Sequence, residues 1–389
     1  MPRTLSDEPI LFIVSDANAY GGTEVLAFNI LHSLRKKGVG CYLLSRYPYC
    51  GNDSAVLSFP NKIHKRWLNI SRNPLNKLLG NVWSDAYMKK MILEKAKEIG
   101  ADWIVNHTYD LCAAIPTKSG IRTAQILHWS VKGYEAELKA KYNTPFKKMY
   151  GLPMLKALTY RWHKALPTFD KIVPLTFSAE KELVGIEPSL SKDLFCIIPN
   201  PVMYEKESPC LSSLRNKNVV FVGRLSFEKG VIRLLNIWKK IESLLPDVSL
   251  SIYGDGYMEK EMRSFIKEHH LNNVKMMGYC DNKEQIYKNA DLLLMTSNTE
   301  GFGLVIIEAM YYGVPCIAFD CPVSPKEVIA DSGITIPCFD EDAYAQKVVE
   351  ILKNTNSLQI LQKKSIERAK SFYINKVAEQ WINMFKNLR

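Results

Sequence analysis

Two carboxylates, Glu300 and Glu308, stand in the stretch TEGFGLVIIEAMYYGVP, residues 299–315. A carboxylate accepts paired hydrogen bonds from vicinal hydroxyls, so two of them aimed at one cleft suit a sugar or a ribose. The apolar run DLLLM before them (291–295) reads as a buried parallel strand. Gly301-Phe302-Gly303 then allows a tight turn and close approach to a ligand. From Leu304 the pattern is helical, and Gly313-Val314-Pro315 ends it. The backbone N–H groups of Phe302, Gly303 and Leu304 thus open a helix, where an anion is favoured. Strand, loop and helix start would set Glu300 in the loop and Glu308 one turn into the helix, at the carboxyl end of the strand.

A second motif is cationic. In FVGRLSFEKG (221–230), Arg224 follows an apolar strand pattern and Lys229 sits where the next helix is expected to start. Both could point at a phosphate, whose negative charge grows if it departs and must then be stabilised in the transition state. Two fixed cations and a helix N-terminus can do that, so the expectation is a reaction with no cofactor and no metal. The acidic run Asp340-Glu341-Asp342 reads as a helix start. Weaker signals are Gly21-Gly22 after the first strand and Gly254 in the turn YGDG (253–256). The first of these lacks the third glycine of a dinucleotide fingerprint. His107 closes one strand pattern, and His128, within QILHWS, follows the next.

Together these motifs resemble the family-4 retaining glycosyltransferases of the GT-B fold. The resemblance spans nearly all of the second half and the first ~45 residues, where a GT-B enzyme carries its βα start. It implies an α/β fold of two facing Rossmann-like βαβ domains with a cleft between them. It also implies that Glu300 contacts the donor sugar, Glu308 the ribose, Arg224 and Lys229 the diphosphate, and Gly254 the region of the base. Gly22 would lie against the diphosphate or acceptor, and His128 near the transferred sugar. The later segment CPVSPKEVI (321–329) departs from the pattern, because Ser324 stands where glycine is usual. The donor implied is a nucleotide-sugar, with UDP the leading choice.

The elements that must hold these residues follow a βα rhythm. In the first half, strands are expected at 10–15, 41–45, 103–107, 123–127 and 171–175, with a helix over 24–37. In the second half they are expected at 219–222, 248–253, 273–277, 291–295 and 315–318. The segment FCIIPNPV (195–202) reads as a hinge, since its prolines forbid a continuing helix. The domain expectation is 1–198 for the acceptor, 199–372 for the nucleotide-sugar, and 373–389 as a helix crossing back to the first domain.

Charge is one-sided. Of a net +11, residues 1–199 carry 27 Lys+Arg against 17 Asp+Glu, while the remainder is nearly balanced. Two stretches concentrate the excess, 61–97 and 139–171, and interleave it with Trp, Tyr and Leu. That pattern fits a helix lying on an anionic lipid surface better than it fits nucleic acid, for which no module is recognisable. No signal peptide or membrane span is legible, and the nine cysteines lack metal or disulfide spacing, so they read as reduced core residues of a cytoplasmic protein. The expectation is a peripheral enzyme on the inner face of the cell membrane, acting on a glycan or lipid-linked acceptor in polysaccharide, lipopolysaccharide or glycolipid assembly. The competing readings are a nucleotide-sugar epimerase of the same fold and a non-catalytic scaffold at the membrane.

Overall fold

The computed structural model describes residues 8–19, 22–79, 81–133, 145–203 and 209–387. Of the Gly21-Gly22 turn, only Gly22 falls within them, and most of the second basic stretch before residue 153 lies outside the described side chains. The chain forms two compact units, residues 1–199 with 374–389, and residues 200–373.

The first unit is a six-stranded parallel sheet. Its strands are β1 (Ile10–Val14), β2 (Cys41–Ser45), β3 (Val56–Ser58), β4 (Trp103–Asn106), β5 (Arg122–Leu127) and β6 (Lys171–Pro174). Its helices are α1 (Gly22–Lys36), α2 (Asn61–Arg72), α3 (Pro74–Leu78), α4 (Val82–Glu98), α5 (Pro145–Ala165) and α6 (Phe177–Ile186). All five residues of β1 are buried, as a central parallel strand covered on both faces requires.

The second unit repeats the plan with β7 (Asn218–Val222), β8 (Ser249–Tyr253), β9 (Val274–Gly278), β10 (Leu292–Met295), β11 (Cys316–Phe319) and β12 (Ile334–Ile336). Between and after them run α7 (Val231–Leu244), α8 (Glu259–Glu268), α9 (Lys283–Tyr287), α10 (Leu304–Tyr311), α11 (Pro325–Ile329), α12 (Glu341–Lys353) and α13 (Thr355–Ala369). The last helix, α14 (Ile374–Lys386), belongs to the first unit. There Trp381 meets Phe12 edge-on at 6.2 Å and Phe385 meets Trp103 at 5.3 Å.

The sheet orders are β3-β2-β1-β4-β5-β6 and β12-β11-β10-β7-β8-β9, the same doubly wound topology twice. In each sheet, order reverses between the first and fourth strands, β1/β4 and β7/β10, and the loops leaving those strands flank the crevice where ligands bind in such sheets. β3 and β12 were not expected. Each is a three-residue edge strand, too short to show alternation. The chain enters and leaves the second unit at one place, where the Val202 N–H donates to the Phe372 carbonyl at 2.7 Å. No helix among the described residues is long and apolar enough to cross a membrane. The cysteines are free thiols, but the reading of all nine as core residues is corrected for Cys50, Cys210 and Cys338, which are exposed in loops.

Candidate functional site

The site forms in the second unit at its reversal point, where the loop after β7 meets the loop after β10. Gly223 leaves β7 with its N–H donating to the Tyr253 carbonyl at 3.0 Å. A single 3-10 turn, Phe227–Lys229, then ends in Gly230 at φ +64°, and α7 starts at Val231. Lys229 therefore closes a turn before the helix rather than opening the helix itself. Gly230 is required: a Cβ there would stand 2.0 Å from the Thr296 carbonyl oxygen.

Residues that sequence reasoning missed lock the two loops together. The Thr296 hydroxyl donates to the carbonyls of Lys229 and Gly230 at 3.1 and 3.2 Å. Asn298 donates its N–H to the Glu228 carbonyl and its amide to the Phe227 carbonyl, both at 2.8 Å. Arg233 donates to the Thr296 carbonyl at 3.1 Å and to Asn298 Oδ1 at 2.8 Å, while its guanidinium lies 3.9 Å from the Phe339 ring. Thr296 and Asn298 directly follow the apolar run 291–295, so a polar residue in register just past a strand end was the available signal.

This bracing brings Lys229 onto Glu300. Lys229 Nζ donates to Glu300 Oε1 at 2.5 Å, and the Ser297 hydroxyl donates to the same oxygen at 2.7 Å. Glu300 is buried and Lys229 half-buried. Glu308 lies on α10 and is buried as well. Its Oε2 accepts from the Tyr287 hydroxyl at 3.3 Å and faces Lys283 Nζ at 3.6 Å, two partners on α9 that the motif did not reveal. Burial raises the Glu308 carboxyl above its ordinary range, and the Lys283 ammonium and the Tyr287 hydroxyl oppose that rise.

The remaining expected residues divide. Phe302 is buried, its ring edge-on to Phe372 at 5.7 Å, so it can offer a ligand its backbone rather than its side chain. Gly303 holds φ +83° as the residue before α10, and Leu304 begins that helix, whose first N–H groups lack intrahelical acceptors. Gly254 has a packing reason for being glycine. At φ +139°, a Cβ would stand 1.9 Å from the Gly223 carbonyl oxygen. Arg224 is exposed, and its ion pair among the described residues is with Glu228 at 3.8 Å, so it is not drawn into the Lys229–Glu300 pair. In the loop after β11, the positive φ falls on Val323 at +89°, not on Ser324, and β-branched residues seldom adopt that conformation. Asp340 caps α12 by accepting from the Ala343 N–H at 2.9 Å. A hollow of about 350 Å³ lies beside the braced loops, lined by Phe227, Gly230, Arg233 and Asn298 but not by Lys229, Glu300 or Glu308.

In the first unit, Gly22 is the exposed first residue of α1. His107 is fully buried and its Nδ1 lies 3.0 Å from His128 Nε2. Desolvation lowers both imidazoles, His128 to about 4, so the pair is neutral near pH 7 and one ring donates to the other. The two histidines are thus partners in one hydrogen bond, a relation that neither strand pattern could show.

The family model "Glycosyl transferases group 1" matches residues 207–371. An uncharacterized glycosyltransferase of Haemophilus influenzae is 25% identical over 95% of this chain and 98% of its own. An alpha-1,4-N-acetyl-D-galactosaminyltransferase of Campylobacter jejuni, whose name gives a diNAcBac-PP-undecaprenol-linked glycan as acceptor, is 27% identical over 71% of this chain and 72% of its own. Among solved structures, HepE of Anabaena in complex with UDP superposes with a TM-score of 0.69 at 17% identity, over 97% of this chain and 100% of that one. The last likeness shows the fold.

Proposed function

We propose that this chain, whose residues 207–371 match the glycosyl transferases group 1 family model, is a metal-independent, retaining glycosyltransferase. It moves a sugar from a nucleotide diphosphate-sugar, in the first instance a UDP-sugar, to a hydroxyl of a lipid-linked or membrane-associated glycan. The product belongs to surface polysaccharide, lipopolysaccharide or glycolipid assembly, and the enzyme works from the cytoplasmic face of the membrane.

One observation carries this reading: Lys229 and Glu300, 71 residues apart in sequence, share a hydrogen bond at the reversal point of the second sheet. A donor seated there places its diphosphate against Lys229, Arg224 and the N-terminus of α10, and its sugar hydroxyls against Glu300. The ribose hydroxyls fall to Glu308, held by Tyr287 and Lys283. Cleavage of the anomeric C–O bond leaves charge on the diphosphate, which the cations and helix dipole stabilise. The acceptor oxygen bonds to the anomeric carbon on the face the phosphate leaves. Its proton passes to the departing phosphate oxygen, so configuration is kept without a protein nucleophile.

The experiment is mass spectrometry of products formed from a panel of nucleotide-sugars and a membrane extract, with a chelator present. Sugar transfer with retained anomeric configuration is expected. Conversion of the nucleotide-sugar without acceptor would replace the proposal with epimerisation, and absence of UDP binding by calorimetry would leave a non-catalytic protein.

A further inference from the structure

The connection between α3 and α4 turns its chemistry inside out. Asn76, Ser84 and Asp85 are buried there, Asn76 completely. Leu75, Leu78, Leu79, Val82 and Trp83 face solvent, Leu78 at 56% and Trp83 at 43% exposure. The inversion is built rather than loose. Asn73 caps α3 by accepting from the Leu75 and Asn76 N–H groups. Asn76 Oδ1 accepts from the Trp83 N–H at 2.8 Å and its amide donates to Ser84 Oγ at 3.1 Å. The Asn76 carbonyl accepts from the Asn81 N–H at 2.8 Å. A hydrogen-bonded elbow thus holds large apolar side chains outward, where contiguous apolar surface marks an interaction site.

Charge identifies the occupant. Residues 61–84 contain no Asp or Glu but carry Lys62, Lys65, Arg66, Arg72 and Lys77, all exposed. The first acid after them, Asp85, is buried and consumed by Arg161 of α5 at 2.6 Å. Residues 145–169 are likewise free of acids. The Asp85–Arg161 pair joins α4 to α5, so the two acid-free stretches become neighbours. One turn beyond each partner lie Lys89 and Lys164, which with Arg161 line a hollow of about 220 Å³. Tyr160, on the preceding residue of α5, is also exposed. Apolar tips beside cations, on two stretches that carry no acid of their own, match the acyl boundary and headgroups of an anionic bilayer.

We propose that this elbow and the adjoining flank of α5 seat the chain on an anionic lipid bilayer. Leu75, Leu78, Leu79, Val82 and Trp83 enter the headgroup–acyl boundary, and Lys77, Lys89 and Lys164 meet lipid phosphates. The inference rests on the reading of the chain as working on a membrane-associated acceptor, and it names the surface that delivers it there.

The test is co-sedimentation of the full chain with vesicles of phosphatidylcholine alone or mixed with phosphatidylglycerol, at low and high salt. Binding to the mixed vesicles is expected, weakened by salt. The triple variant Leu78→Ser/Leu79→Ser/Trp83→Ser should lose roughly tenfold or more in partitioning. Each of Lys77→Glu and Lys89→Glu should lose at least about fivefold. UDP binding by calorimetry in solution should be unchanged in all three, which separates failure of this surface from failure of the donor site. Equal vesicle binding by wild type and triple variant overturns the proposal. So does a wild-type dimer in light scattering that the triple variant abolishes, or salt-sensitive binding to nucleic acid without binding to mixed vesicles.

Discussion

Lys229 Nζ and Glu300 Oε1 stand 2.5 Å apart, with the glutamate buried and the lysine half-buried. The pair neutralises the centre of the candidate site before any donor arrives. Replacing Lys229 by Ala removes the cation proposed for the diphosphate and leaves a buried carboxylate whose remaining hydrogen-bond partner among the described residues is Ser297. We expect Lys229→Ala to lower kcat/KM by about 100- to 1,000-fold and Glu300→Ala to do likewise. Urea titration should show Lys229→Ala less stable than Lys229→Ala/Glu300→Gln, since the double variant removes the stranded charge. Full activity in both single variants would dissolve the assignment.

Arg224 offers the opposite case. It is 72% exposed and 3.8 Å from Glu228, so its loss should change stability by no more than about 0.5 kcal/mol. If it meets the diphosphate, Arg224→Ala should still weaken UDP binding by about tenfold in calorimetry. Unchanged affinity would make it a plain surface residue.

Glu308 is held by Tyr287 and Lys283. Tyr287→Phe should raise the KM for the donor with little change in kcat, because only the aim of Glu308 is disturbed. Glu308→Gln should weaken UDP binding more than Tyr287→Phe does. A larger loss for Tyr287→Phe would mean that its hydroxyl acts beyond Glu308, through its second contact with the Val305 carbonyl at 3.4 Å.

Gly254 should prove a folding residue. Its φ of +139° and the Gly223 carbonyl 1.9 Å from any Cβ make Gly254→Ala strained and crowded at once. We expect a loss of about 2–4 kcal/mol in chemical denaturation. A variant as stable as wild type, with weakened UDP binding, would shift its role to the ligand.

The histidine pair predicts an acid limit. His128 is lowered to about 4 in the folded chain, below an ordinary value of 6.5. The unfolded chain therefore binds the proton first as pH falls. The pair's contribution to stability is whole above about pH 6.5 and is lost progressively toward pH 4. Thermal melts near pH 7.5 and near pH 5 should show a smaller pH effect in His128→Gln than in wild type. Equal slopes would remove the pair as a cause.

Local pattern was enough for the central architecture. Ile10–Val14 and Leu292–Met295 are unbroken apolar runs that suit a strand covered on both faces, and the polar residues that follow at Ser15 and Thr296, with glycines further on, mark where each loop starts. The glutamate and arginine–lysine motifs were legible for the same reason, since each lies within one strand–loop–helix passage. Contacts between passages were not legible. Thr296 reaching the Lys229 carbonyl, Tyr287 reaching Glu308 and His107 reaching His128 depend on which strands become neighbours, and a hydrogen bond across 67, 21 or 21 residues leaves no local trace. The elbow shows the same division. Its bases and leucines can be read from residues 61–84, but a helix pattern says only that apolar residues share a face. It took Asn76, Ser84 and Asp85 filling the interior to turn Leu78 and Trp83 outward.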